Sequence, residues 1–361
     1  MNKLIYLDYA AATPLDLQVA KSMTDFNKVG FANPSSAHIL GRKARVLVEK
    51  ARGEIAHELG CKAKELIFTG SATEANNLAI LGLAQKYKKG HIVTTTLEHA
   101  SVLEPIRELE KRGFKVTYLK PKKDGLIETQ DILKALRSDT FLISIIYASN
   151  TIGTIQPIHK ISRLVKSKQP NVIIHTDACQ AVNYLNIKTN YLGIDLMTFN
   201  GAKIYGPKGI GCLFIKSGTK LSPIIYGGGH ELGLRSSTEN VAGIIGLAKA
   251  LETTHKLKTQ ENKRLSELRN YIFGELDKNP KITINGNRKK RLPNNINISV
   301  NDCPDHSRLA FQLENAGFLV SGGAACDTNK NNLTTNSLRI TLGRDTQKSN
   351  LIKLVKSIEK K

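Results

Sequence analysis

The sequence predicts an α/β domain with a mainly parallel sheet, followed by a smaller α+β domain. Three observations carry this. From about residue 42 to about residue 255, short apolar runs ending in polar residues alternate with stretches long enough for a helix. Beyond about residue 255 the texture changes to a charged helix, the strand INISV, a second helix, the strand LRITL and a closing helix. The length of 361 residues, with 40% apolar and 23% charged, suits two packed domains rather than a disordered chain. The expected division is 16–255 for the large domain and 1–15 with 256–361 for the small one, the N-terminal segment packing near the latter.

In chain order, Leu47, Ala51, Ile55 and Leu59 recur every four residues, as on one helix face. ELIFTG (65–70) reads as a buried strand ending at glycine, and ANNLAILGLA as the helix after it. HIVTTT (91–96), FKVTYL (114–119), FLISIIY (141–147), NVIIHT (171–176), DLMTF (195–199) and IGCLFI (210–215) read as further strands. Ligands of such sheets gather at the carboxyl ends of the strands. Polar residues just beyond each run are therefore the candidates for chemistry.

Several classes are excluded. No apolar run nears the roughly 18 residues of a membrane span, and MNKLIYLDYAAATP lacks a signal-peptide pattern. Cys61, Cys179, Cys212, Cys303 and Cys326 are few, odd in number and far apart, with no CxxC pair. That argues against a disulfide scaffold or structural zinc, and for a reduced cytoplasmic protein. The net charge of +22 is spread along the chain, with a tight cluster at Arg288, Lys289, Lys290 and Arg291. Such a surface could attract nucleic acid or an acidic protein. Without an RNA-binding aromatic signature, an ordinary lysine-rich surface is the favoured reading.

GSATEANN (70–77) follows a strand and opens a helix. Its small residues and free N–H groups suit a phosphate, with Thr73 adding a hydroxyl; ordinary capping by Ser71 or Thr73 is the other reading. His99 in LEHAS could stack on a planar cofactor or carry protons. Asp177 in HTDACQA could pair with a protonated ring nitrogen or simply cap a helix, and Gln180 lies one turn on. Lys203 sits in a glycine-punctuated turn, where shielding from water would lower its pKa and suit Schiff-base chemistry. Cys326 lies in a polar segment unlike a core, whereas the other four cysteines look structural.

These segments, in this order, resemble the cysteine desulfurases, pyridoxal 5'-phosphate (PLP) enzymes of aminotransferase class V and of the fold-type I transferases. The match runs nearly end to end: YLDYAAATP, ANPSSAH, GSATEANN, LEHASVLEP, SNTIGTIQP, HTDACQA, KIYGPKGIG, GGGHELGLRSSTEN, SGGAAC and LRITLGR. The RSSTEN form is similar to the housekeeping and nitrogen-fixation branch. The resemblance implies that Lys203 carries the cofactor as a Schiff base, Asp177 partners the pyridine nitrogen and Gln180 meets the ring hydroxyl. It implies His99 stacked on the ring and moving protons, and Ala72 and Thr73 on the phosphate. Thr238 would reach the phosphate of the other subunit, making a homodimer. Asn150 and Arg339 would hold the carboxylate of L-cysteine. Cys326 would take the sulfur as a persulfide, leaving alanine, and pass it to an acceptor protein for iron–sulfur cluster assembly or tRNA thiolation, with a transient cluster contact at Cys326 also open. A selenocysteine lyase, another PLP β-lyase and a non-catalytic sulfur-relay or RNA-associated scaffold are the alternatives.

Two departures from the family pattern stand out. The run before the lysine is Asn200-Gly201-Ala202, where the family has a small polar residue and then histidine. Ala202 cannot give the phosphate a side-chain hydrogen bond, Asn200 would have to compensate, and PLP retention should weaken. Only residues 327–338 separate Cys326 from Arg339, markedly fewer than in the branch it resembles. That shorter tether should impair direct delivery to a distant scaffold.

Overall fold

The computed structural model describes residues 4–301, 303, 305–322 and 337–359. The chain opens with a short strand, β1 (Ile5–Tyr6), and two helices, α1 (Leu17–Val29) and α2 (Ile39–Leu59). Then come β2 (Leu66–Thr69), α3 (Ala72–Ala84), β3 (His91–Thr95), α4 (Ala100–Lys111) and β4 (Lys115–Leu119). These are followed by α5 (Thr129–Ala135), β5 (Thr140–Ser144), α6 (Ile158–Lys168), β6 (Ile173–Asp177), α7 (Thr189–Leu192), β7 (Leu196–Asn200) and β8 (Gly211–Ile215).

The seven strands β2 to β8 form one sheet in the order β2-β8-β7-β6-β5-β3-β4, parallel except where β8 runs against β7 and β2. Both faces are covered, which explains why the strands read as continuous apolar runs rather than alternating ones. Leu66, Phe68, Ile143, Cys212 and Phe214 join the core beneath α2 and α6. Ile67, Leu142, Leu213 and Ile215 join the core beneath α3 and α4 on the other face.

The helix read from the four-residue row at Leu47 exists, but its buried stripe is different. Ala44, Val48, Ala51, Ile55 and Leu59 face inward, while Leu47 is 38% exposed. A step of four overshoots one helical turn, so a strict four-residue row drifts off the buried face.

A single 36-residue helix, α8 (Val241–Leu276), links the two cores. Its first half buries Ile244, Leu247 and Leu251 against the large sheet; its second half buries Leu265, Ile272 and Leu276 in a separate cluster. The division expected at residue 255 falls inside this helix. The second cluster holds β9 (Ile282–Ile284), β10 (Asn295–Val300), α9 (His306–Asn315), β11 (Phe318–Leu319), β12 (Ser321–Gly322), β13 (Leu338–Thr341) and α10 (Lys348–Glu359). β12-β13-β10-β9 form an antiparallel sheet, and β1 pairs in parallel with β11.

Candidate active site

The carboxyl ends of β2, β3, β5, β6 and β7 open on one cavity of about 250 Å3, closed from the other side by Ala10, Ala11 and Arg339. Each loop brings a different group. After β2, Ser71 caps α3, its Oγ accepting from the backbone N–H of Glu74. The N–H groups of Ala72 and Thr73, both on the cavity wall, have no partner among the described residues. Such a helix start suits an anion. Glu74, which would oppose an anion, is occupied by Arg235 Nε at 2.8 Å and by the N–H of Gly70. Gly211 lets β8 pass close behind: a Cβ there would come within 2.5 Å of the Ser71 backbone.

After β3, His99 caps α4 and lines the cavity. At the end of β6, Asp177 is buried and held on both oxygens: Asn76 Nδ2 donates to Oδ2 at 2.9 Å and the Cys179 N–H to Oδ1 at 2.9 Å. The second bond tightens its own loop, which is a turn rather than the helix a capping role would need, while the carboxylate lines the cavity. Gln180 lines the same wall and donates from Nε2 to the carbonyl of Ala10 at 2.9 Å.

After β7 the chain makes a tight turn that presents Lys203 to the cavity. Tyr205, at φ 60°, takes the left-handed conformation that closes this turn. The N-terminal segment clamps it: the N–H and Oγ1 of Thr13 donate to Ala202 O, and the Tyr205 N–H donates to Thr13 Oγ1. Lys203 Nζ donates to the carbonyl of Ala11. Burial pushes the Lys203 pKa down, as does Arg339, while Cys179, Asp177 and Asp8 pull it up; the net shift is downward. Residues 4–15 therefore pack against the lysine turn as well as the smaller sheet, where the Ala10 N–H donates to Thr341 Oγ1.

Arg339 enters from β13, its Nη1 donating to the carbonyl of Asn150 at 3.3 Å. Asn200 Oδ1 and Arg339 Nε, both on residues of the cavity wall, are buried without a partner among the described residues. Of the site residues read from the sequence, Ala72, Thr73, His99, Asn150, Asp177, Gln180, Asn200, Lys203 and Arg339 thus surround one cavity. Thr238 is exposed and lies outside it. Cys326 falls outside the described residues. Sequence reading missed Asn76, Ser101 and Asp8, which hold Asp177, His99 and Arg339, although all three lie inside quoted motifs; Asn76 and Asp8 meet partners far off in the chain, and Ser101 meets His99 across a helix start.

The donor set fits a planar aromatic aldehyde with a phosphate and a ring nitrogen. An unpaired helix start, a hydrogen-bonded buried carboxylate and a half-buried amine of lowered pKa are what PLP requires. Among the described residues there is no group of three or more His, Cys, Asp or Glu side chains placed to hold a metal. No helix there is long and apolar enough to cross a membrane.

Known proteins resemble this chain over nearly its whole length. The family model described as aminotransferase class-V matches residues 5–354. A cysteine desulfurase IscS of Dictyoglomus turgidum is 44% identical, covering 97% of this chain and 92% of its own. The IscS of Histophilus somni is 39% identical over 100% of this chain and 94% of its own. Among solved structures, a NifS-like protein superposes with a TM-score of 0.93 at 33% identity, over 99% of this chain and 98% of that one. A protein described as SspA in complex with cysteine gives 0.80 at 35% identity, over 93% and 98%. These relatives favour the desulfurase expectation over a selenocysteine lyase, another β-lyase or a scaffold. The chain belongs to the aminotransferase class-V family, and within it to the PLP-dependent cysteine desulfurases.

Proposed function

We propose that the chain takes sulfur from L-cysteine onto Cys326, turning L-cysteine and the Cys326 thiol into L-alanine and a Cys326 persulfide. The observation that carries this is the convergence of Lys203, Asp177 and His99 with the start of α3 on one cavity. Bound PLP supplies an electron sink for the substrate carbon that loses its proton. Asp177, fixed by Asn76 and the Cys179 N–H, keeps a ring nitrogen protonated. Lys203 Nζ, its pKa lowered by burial, is the group that takes and returns the substrate proton. The guanidinium fork of Arg339, with Asn150 beside it, holds the substrate carboxylate. The thiolate of Cys326 is the nucleophile toward the substrate sulfur.

In this reading residues 16–255 hold the cofactor, and 1–15 with 256–361 carry the acceptor thiol. Thr238, exposed and away from its own cavity, serves the phosphate of a second copy, so the working form is a homodimer. The protein acts in the cytoplasm. Its persulfide goes to an acceptor protein for iron–sulfur cluster assembly or tRNA thiolation. With the short tether between Cys326 and Arg339, a dedicated acceptor or small thiol is served better than a distant scaffold.

The test is alanine release from L-cysteine by the PLP-loaded protein, with Cys326→Ala alongside. Alanine from the parent and none from the variant supports the reading; equal alanine from both, or none from either, overturns it.

A further inference from the structure

Two residues outside the family's expected set join two of the groups that face the cofactor. Asn76, fully buried in α3, donates from Nδ2 to Asp177 Oδ2 and to Ser101 Oγ, each at 2.9 Å. Ser101, in the first turn of α4, places Oγ 2.8 Å from His99 Nδ1. The Ser101 backbone N–H donates to the same Nδ1 at 3.1 Å.

The direction of every bond in this chain is fixed from its ends. A carboxylate only accepts, so Asn76 must turn its NH2 toward Asp177, and the second N–H of that group goes to Ser101. A backbone N–H only donates, so His99 Nδ1 must present a lone pair. The Ser101 hydroxyl, already accepting from Asn76, has its single hydrogen left for Nδ1. A neutral imidazole that accepts at Nδ1 carries its proton at Nε2. Nε2 has no partner among the described residues.

We propose that Asn76 and Ser101 are positioning residues that hold His99 in its Nε2–H tautomer and tie that tautomer to the charge on Asp177. His99 then enters turnover as a proton donor through Nε2, since a proton at Nδ1 would displace two hydrogen bonds. The link to Asp177 follows from Asn76. Its Oδ1 is buried without a partner among the described residues, so only the two N–H bonds fix the amide's orientation. If Asp177 loses its charge, the amide is free to turn, Ser101 can donate to Asn76 Oδ1, and His99 loses one of its two donors. This proposal rests on reading the cavity as the site of a PLP-dependent desulfurase.

The test is the 15N ring spectrum of histidine-labelled holoenzyme, with His99 assigned by its loss in His99→Gln. The expected result is a pyridine-type Nδ1 and a pyrrole-type Nε2. Ser101→Ala and Asn76→Ala should move the Nδ1 resonance, and Ser101→Thr, which keeps the hydroxyl, should restore it. In the alanine assay Ser101→Ala should lower kcat about tenfold and leave KM for L-cysteine within about twofold, with Ser101→Thr recovering most of the loss. A pyrrole-type Nδ1 in the parent enzyme overturns the proposal, even if neither alanine variant folds. So does an Nδ1 resonance unmoved by either substitution. The spectrum reads the tautomer whether or not alanine is formed, so failure of the desulfurase reading and failure of this proposal give different results.

Discussion

Arg339 Nη2 donates to Asp8 Oδ1 at 2.8 Å, tying the cavity-lining arginine of the smaller sheet to the N-terminal segment that also clamps the lysine turn. The same nitrogen donates to Ser321 Oγ at 3.1 Å, while Nε is left without a partner among the described residues. Asp8 thus aims the fork and leaves a donor for a carboxylate. Asp8→Asn keeps the shape but weakens a charge-assisted bond. KM for L-cysteine should rise about fivefold to tenfold, with kcat within about twofold, because the arginine loses orientation rather than chemistry. Steady-state alanine formation checks this; an unchanged KM would remove Asp8 from substrate binding.

Glu98 is fully enclosed behind the cavity, and burial pushes its carboxyl up to about 8. The Ile146 N–H and the Thr95 hydroxyl both donate to Oε1 and pull the other way, and Oε2 has no partner among the described residues. The folded pKa lies above the ordinary carboxylate value, so the native state holds the extra proton. Stability from this group is complete at acid pH and falls as pH rises from about 4.5 through about 8. Glu98→Gln removes that dependence. Urea melts should show the two proteins nearly equal at pH 4.5 and the variant ahead by roughly 5 kcal/mol at pH 9, since each tenfold change in proton affinity is worth about 1.4 kcal/mol. A gap that does not grow with pH would mean that Glu98 is charged and paired in the fold.

The pattern of apolar runs was enough to locate every strand of the large sheet, because strands covered on both faces need no alternation to be recognised. It was not enough to orient β8, whose reversal depends on the tight connection after β7 through the Lys203 turn. The cavity residues of the large sheet were legible because each ends or follows a strand, and Lys203, Asp177 and His99 keep family motifs around them. Their supports were not. Asn76 meets Asp177 across 101 positions and Asp8 meets Arg339 across 331, and no local spacing records such pairs. The row at Leu47 misled for the opposite reason: local spacing cannot tell which edge of a helix another element will cover.

Cys179 lines the same cavity as Lys203, which makes it the obvious substitute thiol if Cys326 is lost. Its environment forbids that role. Burial pushes its pKa well above 9, and Asp177 pushes further through its charge and a hydrogen bond. Only the thiolate attacks sulfur or alkylating reagents. At pH 8 iodoacetamide should therefore label Cys326 at least about tenfold faster than Cys179, read by peptide mass spectrometry. Cys326→Ala should carry no persulfide at Cys179 after incubation with L-cysteine. Sulfur recovered on Cys179 would show that the loaded site lowers its pKa.

Ala202 stands where the family places a histidine on the cofactor phosphate, and its backbone carbonyl is engaged by Thr13 from the N-terminal segment. The nearby Asn200 shows how far compensation goes. Its Oδ1 is a buried acceptor without a partner among the described residues, and an acceptor repels a phosphate oxygen unless the amide turns its Nδ2 to the group. In the proposed reading phosphate binding then rests mainly on the start of α3, where the N–H groups of Ala72 and Thr73 have no partner among the described residues. Ala202→His should add one donor to the phosphate, worth about 1.5 kcal/mol when the acceptor is charged, and slow PLP loss about tenfold. The check is the rate at which the visible absorbance of the holoenzyme fades during dialysis. Asn200→Ala should speed that fading if the amide turns toward the phosphate, and leave it unchanged if the α3 start alone holds the group.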